Sequence, residues 1–152
     1  MADRILDSIE SPNMLALLTD EELAILAGEI RDEILNTTSQ TGGHVASSLG
    51  AVEIILAVHS LINSPEDKFI FDVGHQSYAH MLLTGRRDEF STLRQYKGLS
   101  GFPKPHTNPG MHPIRFRSPV GLRVRAIFRG RSKRSLRSSA MPLLLAAWRS
   151  RP

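Results

Sequence analysis

Cysteine is missing altogether from the 152-residue sequence, which excludes disulfides, thiolate zinc sites and cysteine nucleophiles together. Aromatic residues are scarce at 6%, with a single tryptophan. No apolar run approaches the ~20 residues that a bilayer-spanning helix needs. The opening residues MADRILDSIE carry three acids and no apolar core, so they do not read as a secretory signal, and the expected compartment is cytoplasmic. The most informative absence is of negative charge: no Asp or Glu follows Glu89.

What is present suits one ordinary globular domain, with 41% hydrophobic and 22% charged residues. The formal charge of +4 averages two unlike parts. Residues 1–113 hold eight basic and all fifteen acidic residues, a net of −7, together with all six histidines. Residues 114–152 hold eleven basic residues and no acid, and ten of the fifteen arginines. A break this sharp after Pro113 marks either a separate basic tail or a change in the origin of the text.

The acidic part alternates helical and strand patterns. Thr19-Asp20-Glu21-Glu22 fits a capping box, and Leu23, Leu26, Ala27, Ile30 and Ile34 form the apolar stripe of the helix that follows. Asn36 to Ser39, with poor helix propensity, is expected to end it. Gly42-Gly43-His44 reads as a tight loop, and Ser47 or Ser48 as the cap of a second helix through Val52, Ile55, Leu56 and Val58 to about Leu61. After the Ser64–Asp67 turn, Lys68 to Val73 reads as a short buried strand broken by Gly74. Gln76 to Leu83 reads as a third helix stopped at Gly85, and residues 98–113 as an extended loop. Helix, helix, strand, helix suggests one edge of an α/β layer.

Two loops offer chemistry. In Gln40-Thr41-Gly42-Gly43-His44, paired glycines allow close backbone approach to a ligand, and the imidazole can carry a proton near neutral pH. Spacing alone is better served by a helix C-cap with an exposed histidine. In Asp72-Val73-Gly74-His75-Gln76, the carboxyl end of a strand meets a helix N-terminus, the place where open α/β sheets gather ligands and free amides attract diphosphate. A solvated turn accounts for the same residues. His75 and His80 lack the glutamate of a zinc-binding helix, and Asp72 is expected to order its loop through backbone hydrogen bonds. His59 reads as a packed residue, Arg86, Arg87 and Arg94 as a solvated basic face, and His106 and His112 carry no assignment.

The order of these pieces is specific. ILDSIESP, ELAILAGEIRDEIL, TGGHVASSLGAVEIILAVH and SPEDKFIFDVGHQSYAHMLLTGRRDEFSTLRQYKGLSGFPK, nearly continuous over residues 5 to about 104, resemble the N-terminus of the 1-deoxy-D-xylulose-5-phosphate synthase family. These are thiamine diphosphate enzymes of the transketolase group. The resemblance implies a transferase that condenses pyruvate with glyceraldehyde 3-phosphate, releasing carbon dioxide, and feeds isoprenoid, thiamine and pyridoxal synthesis. It implies thiamine diphosphate and Mg²⁺ as cofactors, and a homodimer. It gives His75 a cofactor-binding role near the diphosphate, and His44 a catalytic role near the reacting carbon, in proton transfer or in orienting substrate.

The resemblance stops after SGFPK. The family's GDG segment and later Asn, which hold Mg²⁺ and diphosphate, are absent from this sequence, so no metal ligand is assigned. Read one base out of phase, however, codons for Ser138 to Arg149 permit I-G-D-A-x-x-x-G-G-M-A, against the family's I-G-D-G-A-L-T-G-G-M-A. The Arg, Ser, Leu, Pro and Ala bias of the tail fits out-of-frame translation. The rival is a nucleic-acid or anionic-surface binding arm in residues 114–152, with only Phe116, Phe128 and Trp148 for stacking. The stretch Met141–Trp148 is too short to span a membrane.

The expected fold is therefore an incomplete α/β, transketolase-like thiamine-diphosphate domain over residues 1–113, with helices and the first strand of a parallel sheet. An irregular, disordered Arg-rich tail follows over 114–152. Such a truncated chain is expected to be inactive by itself. Translating the coding DNA beyond codon 113 in the alternative frame should yield an open reading with a Gly-Asp metal loop; stop codons in that frame would make the tail genuine protein.

Overall fold

A computed structural model describes residues 4–64, 68–71, 73–104 and 124–127. The described part is mostly helical and is organised around one long helix. Helix α1 spans Ile5–Ser8, a 3₁₀ turn spans Pro12–Leu17, and α2 spans Asp20–Thr41. Helices α3 (Val45–Leu49) and α4 (Val52–His59) follow, then strand β1 (Lys68–Phe71), helix α5 (Tyr78–Leu83), a 3₁₀ turn at Phe90–Thr92, and strand β2 (Val124–Ile127).

The start of α2 matches its sequence signal. The Glu22 amide donates to the Thr19 hydroxyl at 3.2 Å, and the Thr19 amide donates to the Glu22 carboxylate at 2.7 Å, so two otherwise orphaned donors are satisfied reciprocally. Leu23, Leu26, Ala27, Ile30 and Ile34 are all buried in one core with Val52, Ile55, Leu56, Phe71, Tyr78, Met81, Leu82 and Phe90. The helix does not end in the Asn36–Ser39 stretch but continues to Thr41. Thr38 and Thr41 hydroxyls donate to the carbonyls of Ile34 and Thr37, and Ser39 to that of Asn36. Bonding back within the helix removes the competition that makes these residues poor helix formers.

The second helix is two helices. Gly50 and Ala51 separate α3 from α4, and neither Ser47 nor Ser48 caps α4, because both hydroxyls are turned to the carbonyl of His75. The third helix begins at Tyr78 rather than Gln76, since the Ser77 hydroxyl donates to the Gly74 carbonyl and closes a turn there first.

Strand β1 lies where expected but pairs antiparallel with β2, Lys68 opposite Ile127 and Phe71 opposite Val124. Among the described residues the sheet is these two strands and holds no parallel pair, and residues 124–127 are extended rather than irregular. Pairing relieves a strand whose amides and carbonyls would otherwise lack partners, and Val124 and Ile127 suit an extended backbone. The rest of the 114–152 tail, with Phe116, Phe128 and Trp148, lies outside the described residues, as do Asp72, His106 and His112.

Arg86 and His59 are among the polar residues buried in the core. Arg86, expected on a solvated face, is 2% exposed; burial lowers its pKa to about 10 although Glu89 opposes the shift. Its guanidinium donates to the Thr84 hydroxyl, and its neighbour Arg87 donates to the Leu6 carbonyl. These bonds draw the arginines inward. His59 is packed, as expected, and its Nε2 lies 2.9 Å from Nδ1 of His80, tying α4 to α5.

Burial pushes the pKa of His59 from the ordinary 6.5 to about 3. Between those values the unfolded chain binds a proton that the folded chain refuses. The stability linked to this group is therefore complete above about pH 6.5 and is lost as pH falls toward 3, at up to about 1.4 kcal/mol per pH unit. Urea denaturation across this range should show that acid limb, and His59→Gln should flatten it.

Candidate functional site

Two chain reversals meet at one end of α2. At the first, the Gly42 amide closes the helix on the Thr38 carbonyl at 2.9 Å. Gly42 has φ +70° and Gly43 φ +150°, a backbone that side chains beyond glycine rarely adopt. The chain then turns into α3 with His44 at its N-cap position.

At the second reversal, beyond β1, Val73 has φ +64° and Gly74 φ +88°. A β-branched residue in the left-handed region is strained, so the surroundings must hold this turn in place. The hydroxyls of Ser47 and Ser48 do part of that, each donating to the His75 carbonyl at 3.2 Å. Helix α3 thus clamps the second loop while its own N-terminus carries the first.

The outcome is that His44 and His75, the two residues singled out from the sequence, come together. Their ring centroids are 5.9 Å apart in an edge-on arrangement. Gln76, next to His75, is buried, and α5 is a six-residue helix beginning two residues later.

Three neighbours complete the site. Phe102 stacks edge-on against His44 at 5.0 Å, and the Tyr78 ring stands 6.4 Å from it. Arg94, with φ +61°, leans its aliphatic stem over Gly101, and its guanidinium reaches the space above Gly42. Spacing gave no hint of these residues. The only signal for them is membership of the DVGHQSY, STLRQYKG and SGFPK stretches that carry the family resemblance.

The electrostatics follow from this company. Desolvation lowers the pKa of His44 first, and the positive fields of His75 and Arg94 lower it further, so the imidazole is neutral near pH 7. Its Nδ1 is buried with no hydrogen-bond partner among the described residues. An orphaned imidazole nitrogen beside a second imidazole and a guanidinium makes a donor-rich, electropositive recess. That chemistry fits an anionic cofactor such as an organic diphosphate. It does not fit a metal ion: among the described residues no three His, Asp or Glu side chains gather to hold one.

A proton-NMR titration of the histidine rings should place His44 below the ordinary value of 6.5. Arg94→Gln removes a like charge and should raise its midpoint; a midpoint that does not respond would mean the guanidinium field does not reach the ring.

Comparison with known proteins adds identity to this geometry. The family described as 1-deoxy-D-xylulose-5-phosphate synthase matches residues 6–110. A 1-deoxy-D-xylulose-5-phosphate synthase of Desulfotalea psychrophila is 59% identical over 100 residues, covering 66% of this chain and 16% of that protein. One from Thermus thermophilus is 57% identical over 105 residues, covering 69% of this chain and 17% of the relative. One from Alkaliphilus oremlandii is 64% identical over 87 residues, covering 57% and 14%. The chain spans about a sixth of the length of the curated relatives it matches. With most of its length aligned at this identity, the chain belongs to the 1-deoxy-D-xylulose-5-phosphate synthase family.

Proposed function

We propose that residues 4–104 form the cofactor-facing N-terminal part of a thiamine-diphosphate domain, and that His44 and His75 lie on its wall. In the reaction this reading implies, pyruvate condenses with glyceraldehyde 3-phosphate and carbon dioxide leaves. The observation that carries the reading is the meeting of the two imidazoles, 5.9 Å apart, within a stretch 55–64% identical to named synthases. The parallel sheet, the homodimer and the cytoplasmic location belong to the same proposal. Among the described residues no helix is long and apolar enough to cross a membrane.

Within that reading, thiamine diphosphate supplies the nucleophilic carbon when bound. The chain supplies the rest. His75, held through its carbonyl by Ser47 and Ser48, would help hold the diphosphate. His44, whose pKa is lowered by desolvation and by the nearby His75 and Arg94, accepts a proton in one step and returns it where negative charge develops on oxygen in another. Phe102 and Tyr78 limit water around the His44 ring. Magnesium enters no step here, because the described residues offer it no donor set and the sequence contains no GDG.

The basic-module reading of residues 114–152 gains nothing from the comparisons, and the family's match falls on residues 6–110. We infer that this tail is an out-of-frame reading and that the chain alone does not turn over. Purified chain supplied with thiamine diphosphate, Mg²⁺, pyruvate and glyceraldehyde 3-phosphate should form no deoxyxylulose phosphate. The product of the frame-restored gene should be active, and His44→Ala in it should lower kcat by about 10²-fold or more, the usual contribution of a positioned proton carrier. Turnover by the chain as it stands would overturn the inactivity, and an undiminished His44→Ala would overturn the assignment.

A further inference from the structure

The sequence motif singled out above contains a tyrosine to which neither loop assigns a purpose. Tyr78 is completely buried at the start of α5, and its ring is fixed edge-on against Phe90 at 5.9 Å and 78°. A buried phenol with its ring so anchored delivers its oxygen to one place. That place is the glycine loop: the hydroxyl oxygen lies 3.2 Å from the His44 amide and accepts its hydrogen bond.

The same oxygen also fills the space above Gly43. A Cβ built on Gly43 would stand 2.6 Å from the hydroxyl and 3.3 Å from the ring carbon Cε2, far inside van der Waals contact. Glycine is thus required here twice, by its φ of +150° and by the phenol lying against it. His44 has no side-chain cap on α3, so the Tyr78 hydroxyl is what fixes the backbone of that residue. With the backbone fixed, the imidazole is held between Phe102 and His75.

We propose that Tyr78 is a positioning residue for His44, acting through the His44 amide and the bare face of Gly43. The proposal rests on the functional reading only for its catalytic meaning; the contact itself is independent of it. A proton carrier must lie within hydrogen-bond reach of its target, and a misplacement of about 1 Å can cost 10²-fold in rate.

NMR on the full chain tests this without cofactor or substrate. In the wild-type chain a nuclear Overhauser contact is expected between the His44 amide proton and the Tyr78 ring protons; its absence would overturn the assignment with no variant needed. In Tyr78→Phe, the half-buried amide loses its acceptor, and its hydrogen exchange should quicken at least about tenfold. The His44 ring, released into water, should titrate closer to the ordinary histidine value. Thr19→Ala, which loosens the far end of α2, is the control for general destabilisation and should leave both readouts at their wild-type values. Unchanged exchange and titration in Tyr78→Phe, or the same changes in Thr19→Ala, would sink the proposal. Gly43→Ala strikes the contact from the loop side and should also expose the His44 amide; continued protection there counts against it. Since thiamine diphosphate enters none of these measurements, Tyr78 can stand as a positioning residue even if the cofactor reading fails, and the reverse also holds.

Discussion

Burial of one apolar stripe governs this structure. Helix α2, 22 residues and about 33 Å long, presents Leu23, Leu26, Ala27, Ile30 and Ile34 to the core. Helices α1, α3, α4 and α5 and the 3₁₀ turn at Phe90–Thr92 all pack against it. Its capping box fixes where the helix begins, and the left-handed glycines fix where it ends. The loop that carries His44 is therefore mounted on the end of a rigid rod. The second loop owes its place to α3, which is itself packed on α2. Geometry at the site is inherited from the core and not improvised by the loops.

The site itself gathers two imidazoles and the Arg94 guanidinium beside the rings of Phe102 and Tyr78. His44 is disfavoured as a cation by its surroundings, while its Nδ1 lacks a partner. Polar groups left in that condition in a folded protein are commonly reserved for something that binds. The strained Val73 turn is consistent with this, because backbone outliers persist only where neighbouring structure over-determines them. Here the two serines of α3 supply that determination.

Features encoded in neighbouring residues were legible in the sequence, and features encoded across the fold were not. The Thr19–Glu22 box, the α2 stripe and the β1 strand depend on spacing within a few residues; the first two are found where the spacing put them, and the strand starts at Lys68 as expected but ends at Phe71, short of Val73. The two-glycine loop was legible for the same reason. The extension of α2 to Thr41 was not, because it turns on where the Thr38, Ser39 and Thr41 hydroxyls point. Nor was the break between α3 and α4: Ser47 and Ser48 are good helix caps in isolation, but the carbonyl of His75, distant in sequence, claims both hydroxyls. Arg86 shows the same limit, since charge predicts exposure and only the packed fold draws the guanidinium inward. The partners Tyr78, Phe102 and Arg94 arrive from three separate segments, and no local pattern joins them to His44.

Helix α1 is tied to the rest of the fold by hydrogen bonds and an ion pair. The Glu29 carboxylate accepts the amides of both Ile5 and Leu6, Arg4 pairs with Glu33, and Arg87 donates to the Leu6 carbonyl from 81 residues away in sequence. Residues 4–8 are consequently a stitched seam and not a free end. An affinity tag or reporter fused at the amino terminus needs a spacer ahead of Arg4, because cutting into that seam unfastens α1 from α2 and frees the Arg87 side of the fold with it.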